Sequence, residues 1–185
     1  TYRIDSLDDL ARVERAKGGR DYFLEEFMTG AIVTFDGLAG PDGRVVFSGS
    51  LEYSQGVMEA VNHDLDLYYF THREIPESLA ELGRRAISAF EVRGGFFHFE
   101  FFRRPDGSYL VLEANIRPPG AWSVDMFNWG ADLDLYAEWA RIVARREPLA
   151  QFERKYFCCY AGRKNNLPYR RSHDEVMERF GPRLV

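Results

Sequence analysis

The stretch from Phe96 to Gly120, FFHFEFFRRPDGSYLVLEANIRPPG, constrains this chain more than any other. Two runs rich in aromatic and β-branched residues flank Arg104-Pro105-Asp106-Gly107, the composition of a tight turn, so the segment predicts a β-hairpin. Polar groups stand where a plain hydrophobic hairpin would carry none. Glu100 lies among Phe96, Phe97, Phe99, Phe101 and Phe102, and Glu113 and Asn115 interrupt the run returning from Tyr109. Side chains alternate along a strand, so His98 and Glu100 share one face, as do Glu113, Asn115 and Arg117.

Register decides whether the two faces coincide. A four-residue loop, Arg104 to Gly107, pairs Arg103 with Ser108, Glu100 with Val111 and Glu113 with His98, which puts both carboxylates on one surface. A three-residue Pro-Asp-Gly loop sets Glu113 opposite Phe99 and separates them, because a one-residue slip flips every side chain. The first register is the expectation. Two carboxylates about 4 Å apart repel by roughly 1–4 kcal/mol, and a cation, a shared proton or a wider spacing must relieve that. Oxygen ligands from Glu, Glu and Asn suit a hard divalent ion, Mg²⁺ above all, with phosphate and water completing its shell. Glu or Asn on a strand is often only the solvated side of a half-covered sheet. The whole series Glu-x12-Glu-x-Asn-x-Arg, running into Pro118-Pro119-Gly120, argues for a site.

This hairpin resembles the metal-binding hairpin of the ATP-grasp superfamily, the ATP-dependent carboxylate–amine or carboxylate–thiol ligases. The resemblance implies that Glu100 and Glu113 hold Mg²⁺, with Glu113 bridging two ions. It implies that Asn115 completes the second site and that Arg117, the catalytic candidate, binds the transferring phosphoryl group. Upstream, Tyr22-Phe23-Leu24 reads as an apolar strand entering Glu25-Glu26-Phe27-Met28-Thr29-Gly30, which resembles the adenine-binding hinge of the same family. There the carbonyl near Glu26 and the Met28 N–H would meet the adenine edge, with Phe27 and Met28 as apolar contacts. The family usually places a Glu two residues after this glycine, for the ribose hydroxyls, and this chain has Ile32. Asp36 is the nearest acidic substitute on that strand face, with a turn-flanking role as the alternative.

The rest of the chain fits a partial module. Thr1 to Ile4 reads as the end of a strand, and Ser6-Leu7-Asp8-Asp9 caps a helix to about Lys17. The lysine-bearing strand and Gly-rich phosphate loop that the family carries upstream are not in this sequence, whose three lysines are Lys17, Lys155 and Lys164. The expectation is therefore an α+β fold of antiparallel sheets with packed helices, incomplete at the N-terminus. Residues 1–30 would be the end of the small lobe with the hinge, and 31–185 the large lobe. Residues 31–38 and 44–51 predict a second hairpin around Gly40-Pro41-Asp42-Gly43. Residues 52–71 read as a loop near the nucleotide, with Gln55, His63 and Asp64 unassigned. Pro76 opens a helix to about Val92. Asp132 opens another to about Arg145 with Leu135, Tyr136, Trp139, Ala140 and Val143 inward. Residues 152–160 read as a strand holding Cys158 and Cys159, and Ser172-His173-Asp174-Glu175 is a capping box for a last helix. For His98, a contact to phosphate and a buried hydrogen-bonded role both stay open.

Composition narrows the classes. A 45% hydrophobic and 15% aromatic content places the chain among packed globular domains rather than disordered ones. A net charge of −5 argues weakly against a nucleic-acid partner. No apolar run reaches membrane-spanning length and no signal peptide opens the sequence. Adjacent cysteines make a poor structural disulfide, so a reduced cytoplasmic protein is expected. The expected activity is an ADP-forming ligase using ATP and Mg²⁺, with Mn²⁺ as a substitute, on small-molecule carboxylate and amine substrates. This stretch alone is expected to be inactive without the N-terminal part of the protein. A homodimer is left open, and a nucleotide-binding module without ligase chemistry is the rival reading.

Overall fold

Strand β1 (Ala31–Ala39) is the axis of the molecule, because its alternation sends one set of side chains into each of two cores. The computed structural model describes residues 2–144, 151–165 and 167–185, the side chains of Val57 and Met58 aside. Along one edge β1 pairs antiparallel with β5 (Phe96–Arg103), from Ala31 opposite Arg103 to Leu38 opposite Phe96. Along the other edge it meets β2 (Val45–Gly49) near its end and β3 (Leu51–Tyr53) at Val33. β4 (Tyr68–Thr71), β6 (Tyr109–Asn115) and β7 (Cys159–Ala161) complete a seven-stranded sheet. Among the described residues its order is β6-β5-β1-β3-β4-β7, with β2 on β1 and every pairing antiparallel.

Helices close both sides, as an α+β chain requires. Helix α3 (Glu77–Ala89) lies over Val33, Phe35, Phe97, Phe99 and Phe101. Each buried phenylalanine contributes about 1.5–3 kcal/mol of transfer free energy, which is why five aromatic positions in one strand specify the sheet so firmly. The helix seats closely because residue 83 is glycine: a Cβ there would stand 2.1 Å from a Phe35 ring carbon. On the opposite side α4 (Ser123–Ala131) and α5 (Leu135–Val143) pack over Leu38, Phe47, Leu51, Tyr69 and Phe96. At the ends of the chain, α1 (Leu7–Ala16) starts on Ser6, whose hydroxyl accepts from the Asp9 N–H at 3.1 Å. The last helix, α6 (His173–Phe180), carries the expected reciprocal cap between Ser172 and Glu175.

Several expectations need correction. Tyr22 to Leu24 form no strand. A strand needs a neighbour for its N–H and C=O groups, and residues 21–29 run irregularly without a ladder. Side chains anchor them instead, with Tyr22 tilted on Tyr2 at 5.9 Å and the Arg3 guanidinium 4.1 Å over the Phe27 ring. The supposed loop at 52–71 contains the rest of β3, α2 (Val57–Asn62) and β4. Helix α5 buries Leu135, Glu138 and Ile142, whereas Tyr136, Trp139 and Val143 are exposed. The helix meets the sheet one residue out of the expected phase, so Trp139 touches Phe96 edge-on at 5.7 Å from the flank. The expected end of that helix at Arg145 lies outside the described residues. Strand β7 begins at Cys159 and so excludes Cys158. Burial pushes both thiols up, which leaves neither activated as a nucleophile.

Candidate functional site

The β5–β6 ladder leaves its turn in the register that would separate the two carboxylates. Arg103 faces Tyr109 and Phe101 faces Val111, so the loop spans residues 104–108. It closes through the Arg104 N–H on the Ser108 carbonyl at 2.8 Å, while Asp106 accepts from the Ser108 N–H at 2.9 Å. Gly107 takes the left-handed conformation at φ 82 that such a turn demands. The ladder then slips: Leu112 bulges out, and beyond it Glu100 faces Glu113 and His98 faces Asn115. The expected pairs Arg103–Ser108, Glu100–Val111 and His98–Glu113 are therefore not formed. The shared face is formed all the same, because one bulged residue restores the parity that the Pro-Asp-Gly register had reversed.

That face continues onto β1, where Thr34 stands opposite Glu100 and Asp36 opposite His98. Asp36 and Thr34 are fully buried. One Asp36 oxygen takes the Thr34 hydroxyl hydrogen bond, and the other lies 2.5 Å from His98 Nδ1. The other ring nitrogen, Nε2, lies 3.1 Å from Glu100 Oε1. Thr34 is held in turn by the Leu51 N–H, which donates to its hydroxyl at 2.9 Å. Burial works against a charged imidazole, but the hydrogen bonds and charges of Asp36 and Glu100 outweigh it and push His98 up to about 10. Burial likewise pushes the Asp36 carboxyl up, with His98 pulling it back. Tyr53 is raised by burial and by the charges of Asp36 and Glu100.

Glu100 has one oxygen on His98 and makes no second hydrogen bond among the described residues. Glu113, directly opposite, is exposed and has no ion pair there. Like charges facing each other across a ladder are unfavourable unless something relieves them. Beside them the Asn115 amide nitrogen is buried without a hydrogen-bond partner, an orphaned polar atom at the end of the row. Among the described residues no three His, Cys, Asp or Glu side chains converge on a point. Two carboxylates and an amide instead make an open oxygen set, which fits Mg²⁺ because that ion keeps water and phosphate in its shell.

Other candidates fall elsewhere. Strand β6 ends at Asn115, so Arg117 no longer follows the alternation; Pro118 has no N–H to continue a ladder. The Arg117 guanidinium is exposed and donates to the Pro118 carbonyl at 3.0 Å, with no ion pair among the described residues. Asp36 offers nothing to a ribose, being buried with both oxygens engaged. Glu25, Glu26, Phe27 and Met28 form a largely exposed connection into β1, with no turn or loop hydrogen bond made by their backbone among the described residues. Where that connection enters the sheet, a cleft of about 360 Å³ opens, lined by Gly30, Ile32, Tyr53, Gln55, Glu59 and Phe70 among others. Gly30 sits at its rim because a Cβ there would come 2.7 Å from the Arg103 carbonyl oxygen. Sequence reasoning missed the His98–Asp36 pair, which depends on which strands are neighbours. Each residue alone was legible as an even position on its own strand.

Neither a family model nor a curated protein sequence matches this chain. Solved structures do match in fold. N5-carboxyaminoimidazole synthetase from Staphylococcus aureus complexed with ADP aligns with a TM-score of 0.59 at 13% identity, over 84% of this chain and 41% of its own. L-amino acid ligase from Bacillus licheniformis aligns at 0.56 and 19% identity, over 80% and 36%. The biotin carboxylase domain dimer of Hydrogenobacter thermophilus 2-oxoglutarate carboxylase, in complex with MgADP and bicarbonate, aligns at 0.52 and 17% identity, over 70% and 28%. The fold is that of the ATP-grasp enzymes, and the chain spans less than half the length of each of these proteins. No helix among the described residues is long and apolar enough to cross a membrane.

Proposed function

We propose that this chain is the larger part of the nucleotide- and metal-binding module of an ADP-forming ligase. In this reading residues 1–30 bring the adenine hinge and 31–185 the lobe that carries the metal hairpin. The observation that supports it most is the pairing of Glu100 with Glu113 on one sheet face, with Asn115 opposite His98 on the same side. Glu100, Glu113 and Asn115 would hold Mg²⁺, whose charge would neutralise the phosphate oxygens of ATP. The backbone of Glu25 to Met28 would read the adenine edge, with Phe27 and Met28 against the base. A substrate carboxylate oxygen would attack the γ-phosphorus as the bond to the ADP oxygen breaks. The amine lone pair would then attack the acyl carbon, expelling phosphate and losing a proton. Arg117 would have to leave the Pro118 carbonyl to bind the phosphoryl group, a rotation that the exposed bend after β6 allows. Its present contact gives weight to a second reading, nucleotide binding without ligation.

The test is release of ADP and phosphate by the intact protein supplied with ATP, Mg²⁺ and a panel of amino acids and short peptides as carboxylate and amine. Release that needs both co-substrates is the expected result, abolished by Glu113→Gln. Undiminished turnover in that variant would refute the site. MgADP binding with no turnover on any pair would favour the second reading.

A further inference from the structure

Glu100 is held from behind. Its Oε1 meets His98 Nε2, His98 Nδ1 meets Asp36, and Asp36 takes the Thr34 hydroxyl, itself fixed by the backbone N–H of Leu51. Three strands contribute to this row, and its three inner members are 5% exposed or less, while the Glu100 side chain keeps 20% of its surface exposed. A buried carboxylate and a buried imidazole cost free energy unless each is paired. An apolar sheet face would avoid that cost, as the other side of the same two strands does. The polar row ends at Glu100, whose Oε2 makes no hydrogen bond among the described residues.

We infer that Asp36 and His98 are positioning residues that fix the rotamer of Glu100, so that one oxygen is spent on His98 and the other is aimed toward Glu113. The inference rests on the reading of Glu100 and Glu113 as cation ligands. Its chemistry is that of a carboxylate ligand oriented by an outer hydrogen bond, where losing the outer partner weakens metal affinity by about 10–100-fold. Thr34 serves the row by keeping the Asp36 carboxylate in one rotamer.

The probe is Mn²⁺ bound to the intact protein in the presence of ADP, followed by electron paramagnetic resonance, with metal-free ADP binding measured in parallel by calorimetry. His98→Ala is expected to weaken Mn²⁺ by about 10–100-fold while metal-free ADP affinity stays within about twofold. Asp36→Asn, which keeps the shape of the buried side chain, is expected to weaken it less. The double variant should be no weaker than His98→Ala, because both act through one chain of contacts. A general loss of structure would move both affinities together and would overturn the inference. If Glu100→Gln and Glu113→Gln lower Mn²⁺ affinity but His98→Ala and Asp36→Asn leave it within twofold, the positioning role fails and the metal site stands. If all four leave Mn²⁺ affinity unchanged, the site itself is misassigned and the positioning role falls with it.

Discussion

The two faces of the β1–β5 pair are made by the same residues in alternation, yet they do opposite things. One face is Val33, Phe35, Phe97, Phe99 and Phe101, buried under α3 without a polar atom among their side chains. The other is Thr34, Asp36, His98 and Glu100, a polar row under partial cover. The first gains free energy from burial and the second spends some of it. A strand pair can afford a buried carboxylate and imidazole because its other side is an aromatic core. The comparison teaches that stability and chemistry can be separated here by one residue step along a strand.

Phe99→Ala breaks the contrast from the apolar side and has the largest expected effect. Removing a fully buried phenylalanine should cost about 3–5 kcal/mol in denaturant unfolding, with the polar row unchanged in the fraction that stays folded. A cost below about 1 kcal/mol would mean that this face is not the stabilising one.

Acidity sharpens the contrast next. His98 is raised from 6.5 to about 10 in the fold, so the stability it contributes is complete below pH 6.5 and is lost as pH rises toward 10. Asp36 is raised from 3.8 by burial, and its contribution has the same sign, declining with rising pH above that value. Unfolding measured in chelator should therefore show stability falling between pH 6.5 and 10, and His98→Asn should flatten that slope. A slope equally steep in the variant would place its origin elsewhere.

Much of this was legible from sequence. The aromatic run, the Arg104 to Gly107 turn and the Glu-x-Asn spacing fixed a hairpin with its acidic groups, because alternation and turn chemistry are local. The bulge at Leu112 was not legible: nothing in Tyr109-Leu110-Val111-Leu112 distinguishes a regular strand from a slipped one. The Asp36–His98 contact was hidden for another reason, since it joins strands 62 residues apart in sequence. Helix α5 starts at Leu135 on an Asp134 cap, not at Asp132, which ends α4, and it is rotated from the expected phase, because Tyr136 and Trp139 look as apolar as Leu135 until the neighbouring surface is known. Composition makes Tyr22 to Leu24 look like a strand, but it cannot say whether a pairing partner exists.

Two smaller effects probe the polar face itself. Deleting Leu112 removes the bulge and leaves a regular ladder in which Glu113 still faces Glu100, so stability should stay within about 1 kcal/mol of the parent. Mn²⁺ binding should persist in that variant, and its loss would mean that the bulge shapes the site beyond restoring parity. Glu113→Gln should change stability least, with a gain of a few tenths of a kcal/mol at most from relieving the facing charges. Turnover should nevertheless vanish, the reverse of the pattern expected at Phe99.

The most direct measurement is the anomalous scattering of Mn²⁺ in crystals of the intact protein grown with ADP. The account predicts a peak between the Glu100 and Glu113 carboxylates, within bonding distance of an oxygen from each. A peak elsewhere, with those two side chains unliganded, would contradict it.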